Sequence, residues 1–341
     1  MVTRVFCTQE NDDRITIFQM DPETGRLTVE REFDMPGGPA PLAVDPQQRW
    51  LIVGLREQTG LATVRLDSQQ GLGEVISKID LPVDACYVST DRIGRFVLSA
   101  YYGAGVCAVH RISDEGELMD EAVEWIETTP HAHCIHTDPS NRFAYLPHTM
   151  PANTILQYAF DAETGRLTPL EMPRASVEAG VGPRHYAYHP DLYRVYVSNE
   201  NGSSITSYAM DPDTGELDLL QTLSTLPSDF GGDNTCAQIH MTPNGRWVYV
   251  SNRGHDSLAI FGIAADTGML TPAGHRATEP IPRVFGIDPR GRFLYAAGLD
   301  SDRMTGYAID DEDGQLHEIE SYGLGRTPMW VLALEMDTGV S

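Results

Sequence analysis

The chain has 341 residues, 41% of them hydrophobic, and a formal net charge of -25 from 49 Asp and Glu against 24 Lys and Arg. An acidic excess of this size excludes nucleic acid and anionic membrane as partners, because both are held by clustered Lys and Arg. The length admits either two ordinary domains or one large all-β domain.

At the N-terminus, MVTRVFCTQENDDR lacks the apolar core and small-residue cleavage site of a secretory leader. No run of about 18 apolar residues follows to span a membrane, so a cytoplasmic location is expected. Five widely spaced cysteines, Cys7, Cys86, Cys107, Cys134 and Cys236, contain no C-x-x-C pair and fit buried thiols in a reducing compartment. The single lysine, Lys78 in VISKIDL, reads as a strand-edge residue and excludes a P-loop.

Two motifs then recur along the chain. The first is a turn opened by Asp or Ser and closed by Gly: DPETGRL, DSQQGLG, SDEGEL, DAETGRL, DPDTGEL, ADTGML and DEDGQL. Its glycines, Gly25, Gly71, Gly116, Gly165, Gly215, Gly268 and Gly314, are 46, 45, 49, 50, 53 and 46 residues apart. Asp starts such a hairpin turn through its side chain, and Gly supplies the positive φ that ends it. The second is a short strand, a Pro-x-Gly-Arg-like turn and an aromatic, β-branched strand, as in AVDPQQRWLIVG, HTDPSNRFAYLP and MTPNGRWVYVSN. It has six complete copies; the seventh is split between GRTPMWVLALEMD at the C-terminus and VTRVFCTQE at the N-terminus.

No segment carries an extended 3.6-residue period, so each unit reads as four short strands. Units of about 45 residues that close on themselves are propeller blades. The expectation is an all-β, seven-bladed β-propeller spanning 1–341 as one domain, its ring closed by strands from both termini, which removes the free sheet edge.

In a propeller the first strand of each blade lines the central channel, so repeat-equivalent positions become neighbours. Six residues before each turn proline, or its equivalent, stand Ala40, Cys86, His133, Arg184, Ala237 and Arg283, with Met329 in the split blade. Ten residues after the same point stand Arg56, Tyr102, Thr149, Glu200, Arg253 and Leu299. Arg184, Glu200 and Arg253 thus gather with His148 and Asn199 near one end of the channel, a pattern that suits an anion-binding site with one base. His185 and His240 lie in the same inner strands. PHAHCIH has the residues of a metal site, but on a strand His131 and His133 share a face that His136 does not, so no metal is expected. There is no Gly-x-Ser-x-Gly elbow, and the repeat places no basic neighbour beside a cysteine, so nothing supports covalent catalysis.

Five stretches carry a family resemblance: GVGPRHYAYHP, VYVSNENGSSITSYAMD, CAQIHMTPNGRWVYVSNRGHDSLAIF, EPIPRVFGIDPRGRFLYAAG and GRTPMWVLALE. Over nearly its whole length the chain resembles the seven-bladed propeller lactonases, in particular the bacterial 6-phosphogluconolactonases of that type, and more distantly the fungal carboxy-muconate cycloisomerase. The resemblance implies hydrolysis of a small sugar lactone, 6-phosphogluconolactone or a related aldonolactone, without a cofactor. It maps the catalytic set onto His133, Arg184, Glu200 and Arg253; the repeat positions add Arg283, His148, Asn199, His185 and His240 as substrate-binding candidates. Either Glu200 or His133 would be the base. A lactone-forming cycloisomerase and a ligand-binding propeller without activity are the alternatives, since fold alone does not fix function. Oligomeric state is left open.

Overall fold

The computed structural model describes residues 1–337. It forms seven sheets in a ring, each a blade with its strands in antiparallel order from the channel outward. Six blades have inner strands at Pro39–Val44, Tyr87–Thr90, Pro183–Tyr188, Thr235–Met241, Val284–Ile287 and Pro328–Met336. In the remaining blade, the third, residues 131–137 take the inner place without a continuous ladder, tied by single bridges Ala132↔His148 and Thr137↔Ala144. The C-terminal Pro328–Met336 lies against the N-terminal Val2–Gln9, closing the ring between the two ends of the chain. Among the described residues no helix is long and apolar enough to cross a membrane.

The two sequence motifs meet at the blade boundaries. The aromatic that opens a second strand packs on the turn glycine of the following blade: Trp50 on Gly116, Phe96 on Gly165, Phe143 on Gly215, Trp247 on Gly314 and Phe293 on Gly25. A β-carbon at Gly215 would lie 2.3 Å from Phe143 Cδ1, so the residue must be glycine for contact as well as for its φ of 76°. Tyrosines two residues further on, Tyr145, Tyr249 and Tyr295, donate to the carbonyls of Gly215, Gly314 and Gly25. Buried Asp45, Asp91, Asp138 and Asp288 hold the inner turns, Oδ1 of each accepting from two backbone N–H groups, as Asp138 Oδ1 does from Arg142 and Phe143 at 2.8 Å. The core is accordingly a ring of inter-blade clusters, such as Phe96, Leu98, Ala144 and Leu146 between the second and third blades.

Candidate functional site

Inner strands begin, and second strands end, at the same face of the ring, because the two are antiparallel neighbours. In the fourth blade Pro183 lies opposite Asn199, which puts Arg184 and Glu200 together. The ladder slips between Pro183 and His185, and similar slips fall between Pro39 and Leu42 and between Cys236 and Ile239. A bulge places an extra residue in the strand and re-aims its side chains. As a result Arg184 and His185 both line the central cleft, as do neighbouring residues Ala40 and Pro41. Strict strand alternation would have turned one of each pair away, which is why His185 could not be oriented from sequence.

Five of the seven inner positions line the cleft: Ala40, Cys86, Arg184, Arg283 and Met329. Arg184, only 2% exposed, donates from Nε to Glu200 Oε2 at 2.8 Å. Arg253 of the next blade approaches the same oxygen with Nη2 at 3.3 Å and donates to the Cys236 carbonyl at 2.9 Å. Both guanidiniums therefore share Oε2, and Oε1 makes no hydrogen bond among the described residues. Arg184 Nη1 and Arg253 Nε are buried with no hydrogen-bond partner among the described residues. Burial, then the nearby Arg253 guanidinium, lowers the proton affinity of Arg184; burial, then Arg253 and Arg56, does the same to Arg283. A guanidinium remains charged through such a shift. Among the described residues no carboxylate stands within ion-pair distance of Arg283, so positive charge exceeds its local compensation.

His133 faces this cluster from the third blade. Its Nδ1 lies 3.1 Å from His185 Nε2, and burial, followed by the Arg184 charge, pushes both imidazoles well below the ordinary histidine range. The two rings are neutral and hydrogen-bonded to each other. His131, in the left-handed region at φ 74°, stacks on Tyr102, whereas His136 stacks on Tyr186. PHAHCIH is thus an irregular segment and not a ladder strand, and its histidines disperse; among the described residues no three His, Cys, Asp or Glu side chains converge as a metal site.

Three of the other candidates are committed elsewhere. His148 is fully buried with Thr128 Oγ1 at 2.9 Å and the Leu146 carbonyl at 3.1 Å. Asn199 donates to Ser204 and Thr206 inside its own blade, a structural brace. His240 sits deeper in the channel beside Gln238 and edge-on to Phe285, in a chamber lined by Tyr87, His136 and Tyr188 that His185 and Trp330 separate from the arginine cleft.

Two residues at the cleft were not among the site candidates. Arg56 lines it, donating from Nε to Asp84 at 3.0 Å and lying 3.4 Å from Glu10 Oε2. Arg56 stands in the same repeat position as Glu200 and Arg253, so the signal was present. Glu10 follows the second strand of the split blade and was missed because that blade lacks the turn proline from which the positions are counted. The expectation that no cysteine has basic neighbours is corrected at Cys86, which shares the cleft with Arg56, Arg184 and Arg283. Burial outweighs those charges and raises its thiol to about 12, so it is no thiolate nucleophile.

Comparison with known proteins agrees with the seven-bladed fold. A sequence model of the family described as Lactonase, 7-bladed beta-propeller, matches residues 4–333. A 6-phosphogluconolactonase of Yersinia pestis (strain Pestoides F) is 34% identical over 331 residues, covering 97% of this chain and 98% of that protein. Another from Pectobacterium carotovorum subsp. carotovorum (strain PC1) is 35% identical over 333 residues, 98% of this chain and 99% of its own. The periplasmic gluconolactonase of Pseudomonas aeruginosa superposes with a TM-score of 0.91 over 99% of this chain and 100% of that one, at 23% identity, a likeness of fold.

Proposed function

The chain belongs to the seven-bladed β-propeller lactonase family, and from that premise we propose that it hydrolyses an anionic aldonolactone, 6-phosphogluconolactone foremost, in the arginine cleft. The observation that carries this reading is Glu200, whose Oε2 is held by Arg184 and Arg253 while, among the described residues, its Oε1 takes no hydrogen bond and the neighbouring Arg283 has no carboxylate partner. The 34–35% identical relatives named for that reaction support the choice of substrate.

In this mechanism Oε1 of Glu200 accepts a proton from water as the water oxygen attacks the lactone carbonyl. The carbonyl oxygen becomes an oxyanion and takes hydrogen bonds from Arg184 Nη1 and Arg253 Nε, two buried donors without partners among the described residues. Arg283 holds the phosphate, for which a guanidinium fork is suited. His133, neutral and bonded to His185, fits a positioning role better than that of base. No cofactor enters the scheme. A cytoplasmic location is part of this reading, supported by five free cysteines.

The test is a pH-stat assay on freshly prepared 6-phosphoglucono-δ-lactone and on gluconolactone. Rapid acid release that prefers the phosphorylated lactone, survives EDTA and falls about a hundredfold or more in Glu200→Gln is expected. Rates equal to spontaneous hydrolysis on both lactones would overturn the reading.

A further inference from the structure

The split blade repeats the construction of the fourth. Glu10 and Glu200 each follow the last residue of a second strand, Val2–Gln9 and Arg194–Asn199. Each faces an arginine at the same position of the next blade: Arg56 stands 3.4 Å from Glu10, and Arg253 stands 3.3 Å from Glu200. The mouth of the cleft therefore carries two carboxylate–guanidinium pairs, and Arg283 comes from the blade between Arg253 and Glu10.

The pairs differ in how the carboxylate is held. Glu200 takes two guanidiniums, whereas Arg56 gives its shorter bond to Asp84 at 3.0 Å, leaving Glu10 one long contact with its side chain 16% exposed. Burial raises the Glu10 carboxyl above the ordinary range; Arg56 and Arg283 oppose that rise, and the negative charges of Glu57 and Asp84 add to it. A carboxyl raised by burial and held by one long contact at the mouth of the cleft is placed to keep a proton and give it up as a general acid.

We propose that Glu10 is the general acid of the lactone opening, giving its proton to the departing ring oxygen. The inference rests on the lactonase reading above. An aliphatic lactone leaves as a strongly basic alkoxide, so breaking its C–O bond calls for a proton at that oxygen. Water adds to the carbonyl carbon and loses one proton to Glu200. The tetrahedral intermediate then re-forms its carbonyl, the ring C–O bond breaks with its electron pair on oxygen, and the Glu10 proton forms the new hydroxyl. The product carboxylic acid returns a proton to Glu10, Glu200 sheds its own to solvent, and the net change is lactone plus water to hydroxy-carboxylate plus one proton. The step needs a proton on Glu10, so kcat falls on an alkaline limb set by Glu10.

The experiment is the pH profile of kcat and KM for 6-phosphoglucono-δ-lactone in the full-length protein and in Glu10→Gln, Glu10→Asp and Arg56→Gln, with thermal melts for each. Glu10→Gln should lose about a hundredfold in kcat with little change in KM, and lose the alkaline limb. Glu10→Asp should keep the limb, and Arg56→Gln should move it to higher pH, because removing that charge strengthens the hold of Glu10 on its proton. Glu10→Gln with wild-type kcat and limb, or with a loss that leaves the limb in place, overturns the assignment while leaving the lactonase reading intact. A wild-type protein without activity on the lactone overturns both.

Discussion

Glu200 and Arg283 divide the electrostatic work of the cleft. One compensates two buried guanidiniums through a single oxygen, and the other keeps its charge available. Arg283→Ala should therefore raise KM for the phosphorylated lactone about tenfold or more, the worth of a charge-assisted hydrogen bond, and leave KM for gluconolactone unchanged. Equal effects on the two lactones would move the phosphate to another arginine, with Arg56 next to be tested. At this scale the sequence was informative where the repeat could be counted, as for Arg184 and Arg253. It was blind at Glu10, where the repeat is cut by the chain ends, and at His148 and Asn199, whose side chains turn to local hydrogen bonds.

Three blade boundaries combine an aromatic, a turn glycine and a tyrosine that closes on the glycine's carbonyl. Gly215 joins two demands there, a φ of 76° and contact with the Phe143 ring, whereas Gly180 has a φ of 75° and open space within 4 Å of where a β-carbon would stand. Gly180→Ala should cost about 1–2 kcal/mol from backbone strain alone. Gly215→Ala should cost about 1–3 kcal/mol more, from overpacking against Phe143. Denaturant unfolding of both variants checks the difference; equal losses would mean that the boundary relaxes around the added methyl. The inner-strand bulges belong to this scale too. Alternation read from sequence assumes an unbroken pleat, and one extra residue at Arg184 changes which side chains reach the channel.

Across the whole molecule, burial keeps many histidines neutral. His110, His148 and His240 are lowered to about 4, His136 to about 3, and His133 and His185 fall well below the ordinary value, in every case with burial as the main cause. In the unfolded chain these rings take up protons below about pH 6.5, while in the fold they do not. The unfolded state then binds more protons, and stability falls as pH drops from about 6.5 toward about 4, by up to about 1.4 kcal/mol per pH unit for each such ring. The midpoint of denaturant unfolding, followed from about pH 7 to 5, should fall steeply; a flat profile would mean that water reaches these rings.

The sequence by itself determined the blade number, the joining of the termini in one blade and the family, because turn glycines, turn acids and strand aromatics are local requirements repeated at a fixed spacing. It also brought Arg184, Glu200 and Arg253 together, since repeat position becomes angular position in a closed ring. Only the tertiary structure decided that Arg184 and Arg253 share one oxygen of Glu200, that His133 bonds to His185, that Cys86 lies among arginines as a thiol, and that Glu10 completes the mouth. Those facts depend on bulges, burial and contacts between blades far apart in the chain, which no local pattern encodes.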